Sequence, residues 1–299
     1  MGTVAGPVSW RRLRPRPETG CGPPAEFADI DARRIVEEAS GWEGAEHHGH
    51  LDDQATTGAV ARFERMLARR LQGEPLQYVL GRWGFRGLDL VVDRRALIPR
   101  PETEQVVDHA LAHLDRLPNG PDRVVVDLGT GSGAIALSIA AERADVTVWG
   151  TDRSAEALAV ARANLTGLGA RAATRVRLAE GDWYRALPEE LAGTVDLVVA
   201  NPPYVADGED LPPIVADWEP IEALVAGPTG LEATATIVAG APSWLAPHGA
   251  LVMEIGATQK PAAVTLAHRA GFTDVEVRPD LAGHDRALVA RRSAQPPRR

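Results

Sequence analysis

The chain has 299 residues, a hydrophobic content of 44% and a single cysteine, Cys21. This length predicts one large domain with a smaller one, and the apolar content suffices for a sizeable core. No apolar run is long enough to cross a membrane, and one cysteine excludes an intramolecular disulfide and fits the reducing cytoplasm. The formal net charge of −9 argues against binding to long nucleic acid, because proteins that hold phosphates are usually basic.

The N-terminal region is predicted to consist of an arm and a helical domain. Residues 1–25 are rich in proline, glycine and arginine, which predicts a mostly disordered arm. Residues 26–80 predict a small helical domain, because apolar residues recur at helical spacing on one face of its main helix. These residues are Val60, Phe63, Leu67 and Leu71.

Three histidines, His47, His48 and His50, lie in a polar stretch of this helical domain. Clustered histidines can bind a metal ion, but no acid or cysteine stands at a fixed helical offset that would complete a ligand set. We therefore predict a loop and no metal site here.

The next segment, residues 81–97, predicts a β-hairpin linker with its turn near Arg86-Gly87. The catalytic domain is predicted over residues 98–292. It opens with Ile98–Glu104, in which Pro101 suits the first turn of a helix. Residues 293–299 are basic and proline-rich, which predicts a disordered tail.

Near the start of the domain predicted over 98–292, residues 123–137 predict a strand, a glycine-rich turn and the beginning of a helix. The run Val124–Val126 is typical of a buried strand, and Gly129, Thr130, Gly131, Ser132 and Gly133 form the turn after it. Glycines let the backbone turn sharply and approach a ligand. No Lys-Ser/Thr pair closes the turn, so a phosphate-binding loop of the Walker type is disfavoured.

Two acids follow at the ends of the next predicted strands. Asp152 stands about 20 residues after the glycines, the distance at which a carboxylate accepts both ribose hydroxyls in nucleotide-binding sheets. Asp182 and Trp183 end the third strand, where they could meet the amine and the ring of an adenine. Adenosine binding without phosphate contacts favours S-adenosylmethionine over a dinucleotide, although a dinucleotide oxidoreductase remains an alternative on these motifs.

The fourth strand, Val195–Ala200, ends in Asn201-Pro202-Pro203-Tyr204. Proline supplies no donor to a strand ladder, so the strand stops abruptly at the edge where open α/β sheets bind ligands. The Asn201 carboxamide and the Pro202 carbonyl are then two neighbouring acceptors, which suit a planar –NH2 group, and Tyr204 offers a ring face to stack on that plane. The alternative is a plain strand-terminating turn.

These motifs together resemble the HemK/PrmC-type peptide chain release factor glutamine methyltransferases. The resemblance spans about Leu71 to Ala290. Its most specific parts are the Ile-Pro-Arg-Pro-Glu-Thr-Glu block of 98–104 and the Asn-Pro-Pro-Tyr clamp. It also includes the following stretches: Gly73–Tyr78, Asp127–Gly133, Glu219-Pro220, Gly230-Leu231, Glu254–Gly256, Asp280-Leu281 and Asp285-Arg286.

The resemblance implies an α/β fold: a Rossmann-like S-adenosylmethionine-dependent methyltransferase sheet with helices on both faces, preceded by a small helical substrate-recognition domain. It implies methyl transfer to the amide nitrogen of a glutamine in the Gly-Gly-Gln motif of release factors. Asn201, Pro202 and Tyr204 would then be catalytic, and Pro203 would join them in binding substrate. Asn201 would also contact the cofactor, together with the glycine turn, Asp152, Asp182 and Trp183. A monomer without membrane contact is expected.

Two alternatives belong to other classes. The clamp also suits the exocyclic amine of adenine in DNA or RNA, but such an enzyme needs a basic surface and a flipped base, and the acidic charge disfavours it. A non-enzymatic module that binds S-adenosylmethionine or a release factor is disfavoured by the intact clamp, because pure binding needs no methyl-transfer geometry.

Overall fold

The computed structural model describes residues 8–13, 25–118 and 123–292 of the chain. The chain divides into two compact units, Met1–Gly81 and Arg82–Arg299. Within the described ranges, no helix combines the length and the apolar character needed to cross a bilayer.

The first unit is helical. The hydroxyl of Thr56 caps its longest amphipathic helix by accepting a hydrogen bond from the backbone N–H of Ala59 (3.2 Å). Phe63 of that helix packs against Ile35 and Val36 of the preceding long helix, and all three are buried. The helices are α1 (Trp10–Leu13), α2 (Ala25–Ser40), α3 (Gly44–Gly49), α4 (Thr57–Leu71) and α5 (Leu76–Leu80).

The prediction of a disordered arm is wrong for residues 8–13. Ser9 forms an antiparallel bridge with Gln54, and Trp10, at 3% exposure, lies edge-on against Trp42 with ring centroids 6.0 Å apart. The free energy gained by burying the Trp10 indole stabilises this short segment, although its composition predicts disorder. The rest of the predicted arm up to residue 24, including Cys21, and the predicted tail 293–299 lie outside the described residues.

The polar stretch with the three histidines is also more regular than predicted, because it contains α3. The His50 Nδ1 atom lies 2.6 Å from Asp53 Oδ2, and the His50 ring stacks on Trp42. His47 is buried. In the described part of the chain, no group of three or more His, Cys, Asp or Glu side chains is arranged to hold a metal ion.

The second unit begins with a β-hairpin and continues into a seven-stranded sheet. The predicted turn at Arg86-Gly87 is confirmed, and both residues have positive φ (47° and 76°), as a tight hairpin turn requires. The hairpin strands are β1 (Arg82–Phe85) and β2 (Leu88–Val91). The sheet strands are β3 (Arg123–Leu128), β4 (Val146–Asp152), β5 (Val176–Glu180), β6 (Val195–Ala200), β9 (Leu245–Glu254), β10 (Asp274–Pro279) and β11 (Asp285–Arg291), and a short pair is formed by β7 (Val205–Ala206) and β8 (Val225–Gly227).

The order of the sheet is β10-β11-β9-β6-β3-β4-β5. Strands β9, β6, β3, β4 and β5 are parallel, whereas β11 pairs antiparallel with both β9 and β10. The helices of this unit are α6 (Pro101–Leu114), α7 (Ala134–Glu142), α8 (Ala155–Gly167), α9 (Ala170–Ala173), α10 (Pro213–Ala216), α11 (Glu232–Trp244) and α12 (Lys260–Arg269).

Both faces of the central strands are buried. Val126, Val198 and Leu251 pack with residues of α11 and α12 in one apolar cluster. Neighbouring side chains along a strand point to opposite faces, so Val125 and Val199 face the other side of the sheet, where α6 and α7 cover it. This explains why the strands are continuous apolar runs rather than alternating ones.

Asn164 of α8 joins the hairpin to the glycine turn. Its Oδ1 accepts a hydrogen bond from the backbone N–H of Val91 (2.7 Å), and its Nδ2 donates to the carbonyls of Val91 (3.1 Å) and Ser132 (2.9 Å). Asn164 is 6% exposed, and its bond to the Ser132 carbonyl is buried, whereas its two bonds to Val91 are partly buried. Loss of the Asn164 side chain would leave these three backbone groups without their partner.

We expect Asn164→Ala to lower the free energy of unfolding by about 2–3 kcal/mol, because one buried and two partly buried backbone groups lose their partner together. The matched control is Thr166→Ala, an exposed position on the same helix, which we expect to change stability by less than about 0.5 kcal/mol. Urea unfolding of both variants measures the difference. Equal stabilities of the two variants would contradict the assigned role of Asn164.

Candidate active site

Parallel strands bring the predicted polar residues to one edge of the sheet. The carboxyl ends of β3, β4, β5, β6 and β9 all lie at this edge. The residues at or just after these strand ends are the glycine turn, Asp152, Asp182, Asn201 and Glu254.

The side chain of Asp127, the penultimate residue of β3, holds the glycine turn in place by hydrogen bonds. Its Oδ2 accepts hydrogen bonds from the Thr130 hydroxyl (2.6 Å) and the Ala136 backbone N–H (3.1 Å). Complete burial raises the pKa of Asp127 to about 7. Gly133, with φ of +86°, ends the turn and begins α7.

Two glycines of the turn have different surroundings. An added Cβ on Gly131 would meet no atom within 4 Å, so the turn faces open space there. A Cβ on Gly129 would lie 3.3 Å from the ring of Trp183, so this ring packs directly on the turn. Trp183 itself has φ of +49°, an unusual conformation for a bulky residue that costs about 1–3 kcal/mol and is found mainly at functional sites.

Asp152 braces the turn from the neighbouring strand. Its Oδ2 accepts a hydrogen bond from the backbone N–H of Gly131, and its Oδ1 accepts one from Ser154, both at 2.9 Å. Burial raises the pKa of Asp152 above its ordinary value. Each carboxylate oxygen keeps a second lone pair, so the side chain can still accept hydroxyl groups of a ligand.

A cleft of about 790 Å³ runs along this edge. This volume is within the usual range for cofactor and small-molecule sites. Of the predicted site residues, the cleft is lined by Gly129, Thr130, Gly131, Ser132, Asp152, Asp182, Trp183, Asn201 and Pro203. In the described part of the chain, the lining includes neither Gly133 nor Pro202 nor Tyr204.

Asn201 is held by a chain of hydrogen bonds through two buried side chains. Its Nδ2 donates to Thr103 Oγ1 (3.0 Å), and the Thr103 hydroxyl donates to Glu254 Oε2 (2.6 Å). The Tyr204 hydroxyl donates to the other carboxylate oxygen of Glu254, Oε1 (3.2 Å). The backbone of Tyr204 is held as well, because Gln259 Nε2 donates a hydrogen bond to the Tyr204 carbonyl (2.9 Å).

Glu254 ends β9, whose last six residues are all buried, and it is itself fully buried. Burial raises its pKa to about 6, and it also raises the pKa of Tyr204 well above its usual range. At neutral pH the carboxylate therefore accepts and the tyrosine keeps its proton. The side chains of Thr103 and Tyr204 supply the donors that a buried carboxylate requires.

Another part of the cleft wall joins two segments that are far apart in the chain. Glu219, which is 6% exposed, accepts hydrogen bonds from the Arg100 guanidinium and from the backbone N–H of Ile98 (3.1 Å). The Arg94 guanidinium lies 4.3 Å above the ring of Trp218. The Ile98–Glu104 block thus borders the cleft, and the segment that follows Tyr204 is anchored to it.

Comparisons with known proteins agree with this geometry. The methyltransferase small domain profile matches residues 104–217, and the PrmC N-terminal domain profile matches residues 24–81. The release factor glutamine methyltransferase of Burkholderia pseudomallei is 44% identical over 265 residues, which cover 88% of this chain and 91% of the relative. The chain belongs to the release factor glutamine methyltransferase family.

A second member of the family, from Cereibacter sphaeroides, is 43% identical over 87% of this chain and 90% of its own length. Among solved structures, the catalytic domain of hMettl16 in complex with MAT2A 3'UTR hairpin 6 superimposes with a TM-score of 0.52. It is 15% identical over 80% of this chain and 82% of its own, so it shows the fold alone. The predicted S-adenosylmethionine-dependent methyltransferase fold is confirmed.

Thr103 and Glu254 are site residues whose link to Asn201 sequence reasoning missed. One signal was available for Glu254: it is a lone carboxylate that directly follows the apolar run Ala250–Met253 at the carboxyl end of a strand. Nothing in the spacing indicated Thr103, because its partners are 98 and 151 residues away in the chain.

The raised pKa of Glu254 predicts a pH dependence of stability. The unfolded carboxyl titrates near its ordinary value of 4.5, whereas the folded one titrates at about 6. The folded state therefore binds more protons than the unfolded state around these pH values. This group's contribution to stability falls by about 2 kcal/mol in total as the pH rises from about 3 to about 8, and about 1.3 kcal/mol of that fall lies between pH 4.5 and 6.

We expect this fall to be absent from Glu254→Gln, so the difference in unfolding free energy between variant and wild type should change by about 1.3 kcal/mol between pH 4.5 and 6. Chemical denaturation of both proteins at several pH values measures it. Parallel pH profiles would show that Glu254 has an ordinary pKa.

Proposed function

We propose that this protein transfers a methyl group from S-adenosylmethionine to the side-chain amide nitrogen of a glutamine in a peptide chain release factor. The observation that carries the proposal is that Asn201 borders the same cleft as the glycine turn and Asp152. An amide-binding group and a nucleoside-binding edge then share one cavity. The names of the family members support a glutamine of a release factor as substrate. The resemblance implies the Gly-Gly-Gln motif as the target.

The residues of the cleft fit S-adenosylmethionine. The open space above Gly131 admits a ligand, and the amino end of α7 directs backbone N–H groups toward the turn. Asp152 would accept the ribose hydroxyls, Asp182 the adenine amine, and Trp183 would flank the adenine ring. The cofactor supplies a methyl group activated by a positively charged sulfur.

On the substrate side, Asn201 Oδ1 and the Pro202 carbonyl would accept the two N–H groups of the glutamine amide. Pro203 would border the entry, and Tyr204 would stack on the amide plane. An amide nitrogen is a poor nucleophile because its lone pair is delocalised. Acceptors on its N–H groups favour the transition state over the ground state, and fixed positioning supplies about 7–11 kcal/mol in well-oriented cases.

The proposal includes a monomeric enzyme in the cytoplasm, as the sequence predicts. It does not include a nucleic-acid substrate. A net charge of −9 leaves little electrostatic attraction for a long polyanion.

The first test of function is a methylation assay with the full chain, labelled S-adenosylmethionine and a purified release factor, read by mass spectrometry of the Gly-Gly-Gln peptide. We expect one methyl group on the glutamine. Asn201→Ala should lower the rate by about 10²-fold or more, because it removes an acceptor that acts in the transition state.

Cofactor affinity of Asn201→Ala, measured by isothermal titration calorimetry, should stay close to that of the wild type. Label in RNA or DNA instead of the release factor would refute the assignment of substrate. Full activity of the variant would refute the role of Asn201.

A second test concerns the ribose. Asp152→Ala should weaken cofactor binding by about 10- to 100-fold, the usual effect of losing charge-assisted hydrogen bonds. Asp145→Ala is the matched control, because Asp145 precedes the opposite end of the same strand and pairs with Arg143. Calorimetry on both variants decides the matter, and equal cofactor affinities would contradict the assignment of Asp152.

A further inference from the structure

The carboxamide of Asn201 has two ends of similar shape and opposite hydrogen-bonding character. Rotation by half a turn exchanges Oδ1 with Nδ2 at little steric cost, since the last torsion of asparagine is broad and roughly two-fold. Only the Oδ1 end can accept a hydrogen bond from the –NH2 group of a glutamine. Which end faces the cleft therefore decides whether Asn201 can bind the substrate proposed above.

The hydrogen bonds of Thr103 decide this orientation. A hydroxyl carries one proton, and an ionised carboxylate can only accept. Because Thr103 donates its proton to Glu254 Oε2, its oxygen has only acceptor capacity left. The end of Asn201 that meets Thr103 Oγ1 must then be the –NH2 group, as observed at 3.0 Å.

The burial of this pair makes the preference strong. Thr103 is 3% exposed and Glu254 is fully buried, so water does not replace a mismatched partner. A reversed Asn201 would place its oxygen against a hydroxyl oxygen that has no proton to give. Two acceptors facing each other lose a hydrogen bond, and the buried Thr103 oxygen is left without a donor.

We propose that Thr103 and Glu254 are positioning residues that hold the Asn201 carboxamide with its oxygen toward the substrate amide. The inference rests on the proposed function for its catalytic consequence, but the orientation itself depends only on this chain. Glu254 also accepts a hydrogen bond from the Tyr204 hydroxyl. One carboxylate therefore orients both Asn201 and Tyr204, the first and the last residue of the Asn-Pro-Pro-Tyr clamp.

The orientation of Asn201 also depends on the charge state of Glu254. Arg286 of β11 favours the ionised carboxylate, whereas Glu102 of α6 opposes it, and the hydroxyls of Thr103 and Tyr204 stabilise it by hydrogen bonds. A protonated Glu254 could donate to Thr103 Oγ1. The Thr103 proton would then be free to point at Asn201, and the oxygen end of the carboxamide would turn toward it.

The central variant is Thr103→Val, which removes the hydroxyl and keeps the branched shape. We expect kcat on the release factor to fall by about 10²-fold, comparable to the loss of one group that stabilises a transition state, with unchanged cofactor affinity. Thr103→Ser restores the hydroxyl and should restore most of kcat. The matched control is Thr234→Val: Thr234 is fully buried and its hydroxyl has no partner in the described part of the chain, so kcat should equal that of the wild type.

A second readout needs no turnover. The side-chain amide signal of Asn201 in a ¹H–¹⁵N spectrum, identified by its absence in Asn201→Ala, should show slow exchange with water in the wild type. It should shift and lose this protection in Thr103→Val but not in Thr234→Val. If the wild type fails to methylate the release factor, the proposed function fails while this signal still tests the orientation.

The third readout is the pH profile. The wild-type kcat should rise with pH as Glu254 loses its proton, and this rise should be absent from Glu254→Gln, which preserves the volume of the side chain but does not titrate. Wild-type kcat in Thr103→Val, an unchanged Asn201 signal in that variant, or failure of Thr103→Ser to restore kcat would each overturn the inference.

Discussion

The site depends on the parallel pairing of five strands. In parallel pairs, all carboxyl ends meet at one edge, so residues far apart in the chain become neighbours there. The glycine turn, Asp152, Asp182, Asn201 and Glu254 follow or end five different strands and lie at the same edge. A slip of one residue in any strand would turn its buried side chains to the other face, so the apolar core also sets the register of the polar edge.

Two carboxylates lie where the core meets this edge, and both are fully buried. Burial of a charged group is costly, and hydrogen bonds from hydroxyls and backbone N–H groups offset part of that cost. Asp127 orders the glycine turn through Thr130, and Glu254 orders the clamp through Thr103 and Tyr204. Each half of the cleft is thus shaped by one buried acid and a threonine, although the two acids are 127 residues apart.

The parts of the cleft differ in what holds them in place. The glycine turn and Asp152 are braced on β3 and β4, whereas another part of the wall is formed by Ile98–Glu104, which runs into α6, and by the segment after Tyr204. Glu219 connects these two segments through a charge-assisted hydrogen bond from Arg100 and a hydrogen bond from the backbone N–H of Ile98. Because the wall is assembled from contacts rather than from the sheet, it is the part that can vary to suit a substrate.

Much of the fold and part of the site follow from local sequence. Continuous apolar runs predicted the buried strands, and glycines and prolines predicted where those strands stop. Local signals also placed Asp152, Asp182 and Asn201 at strand ends, and the structure brings them to one cleft. The short anchoring segment around Trp10 was missed, because composition averages over a stretch and conceals a single residue that is buried.

The sequence by itself determined which residues lie at the carboxyl ends of strands, since apolar periodicity and chain-breaking residues act over a few neighbours. Only the tertiary structure decided which way the Asn201 carboxamide points. That choice depends on one hydrogen bond that the Thr103 hydroxyl donates to Glu254, and the two residues are 151 positions apart in a helix and a strand. Hydrogen-bond direction is a property of side chains brought together by folding, and no local pattern encodes it.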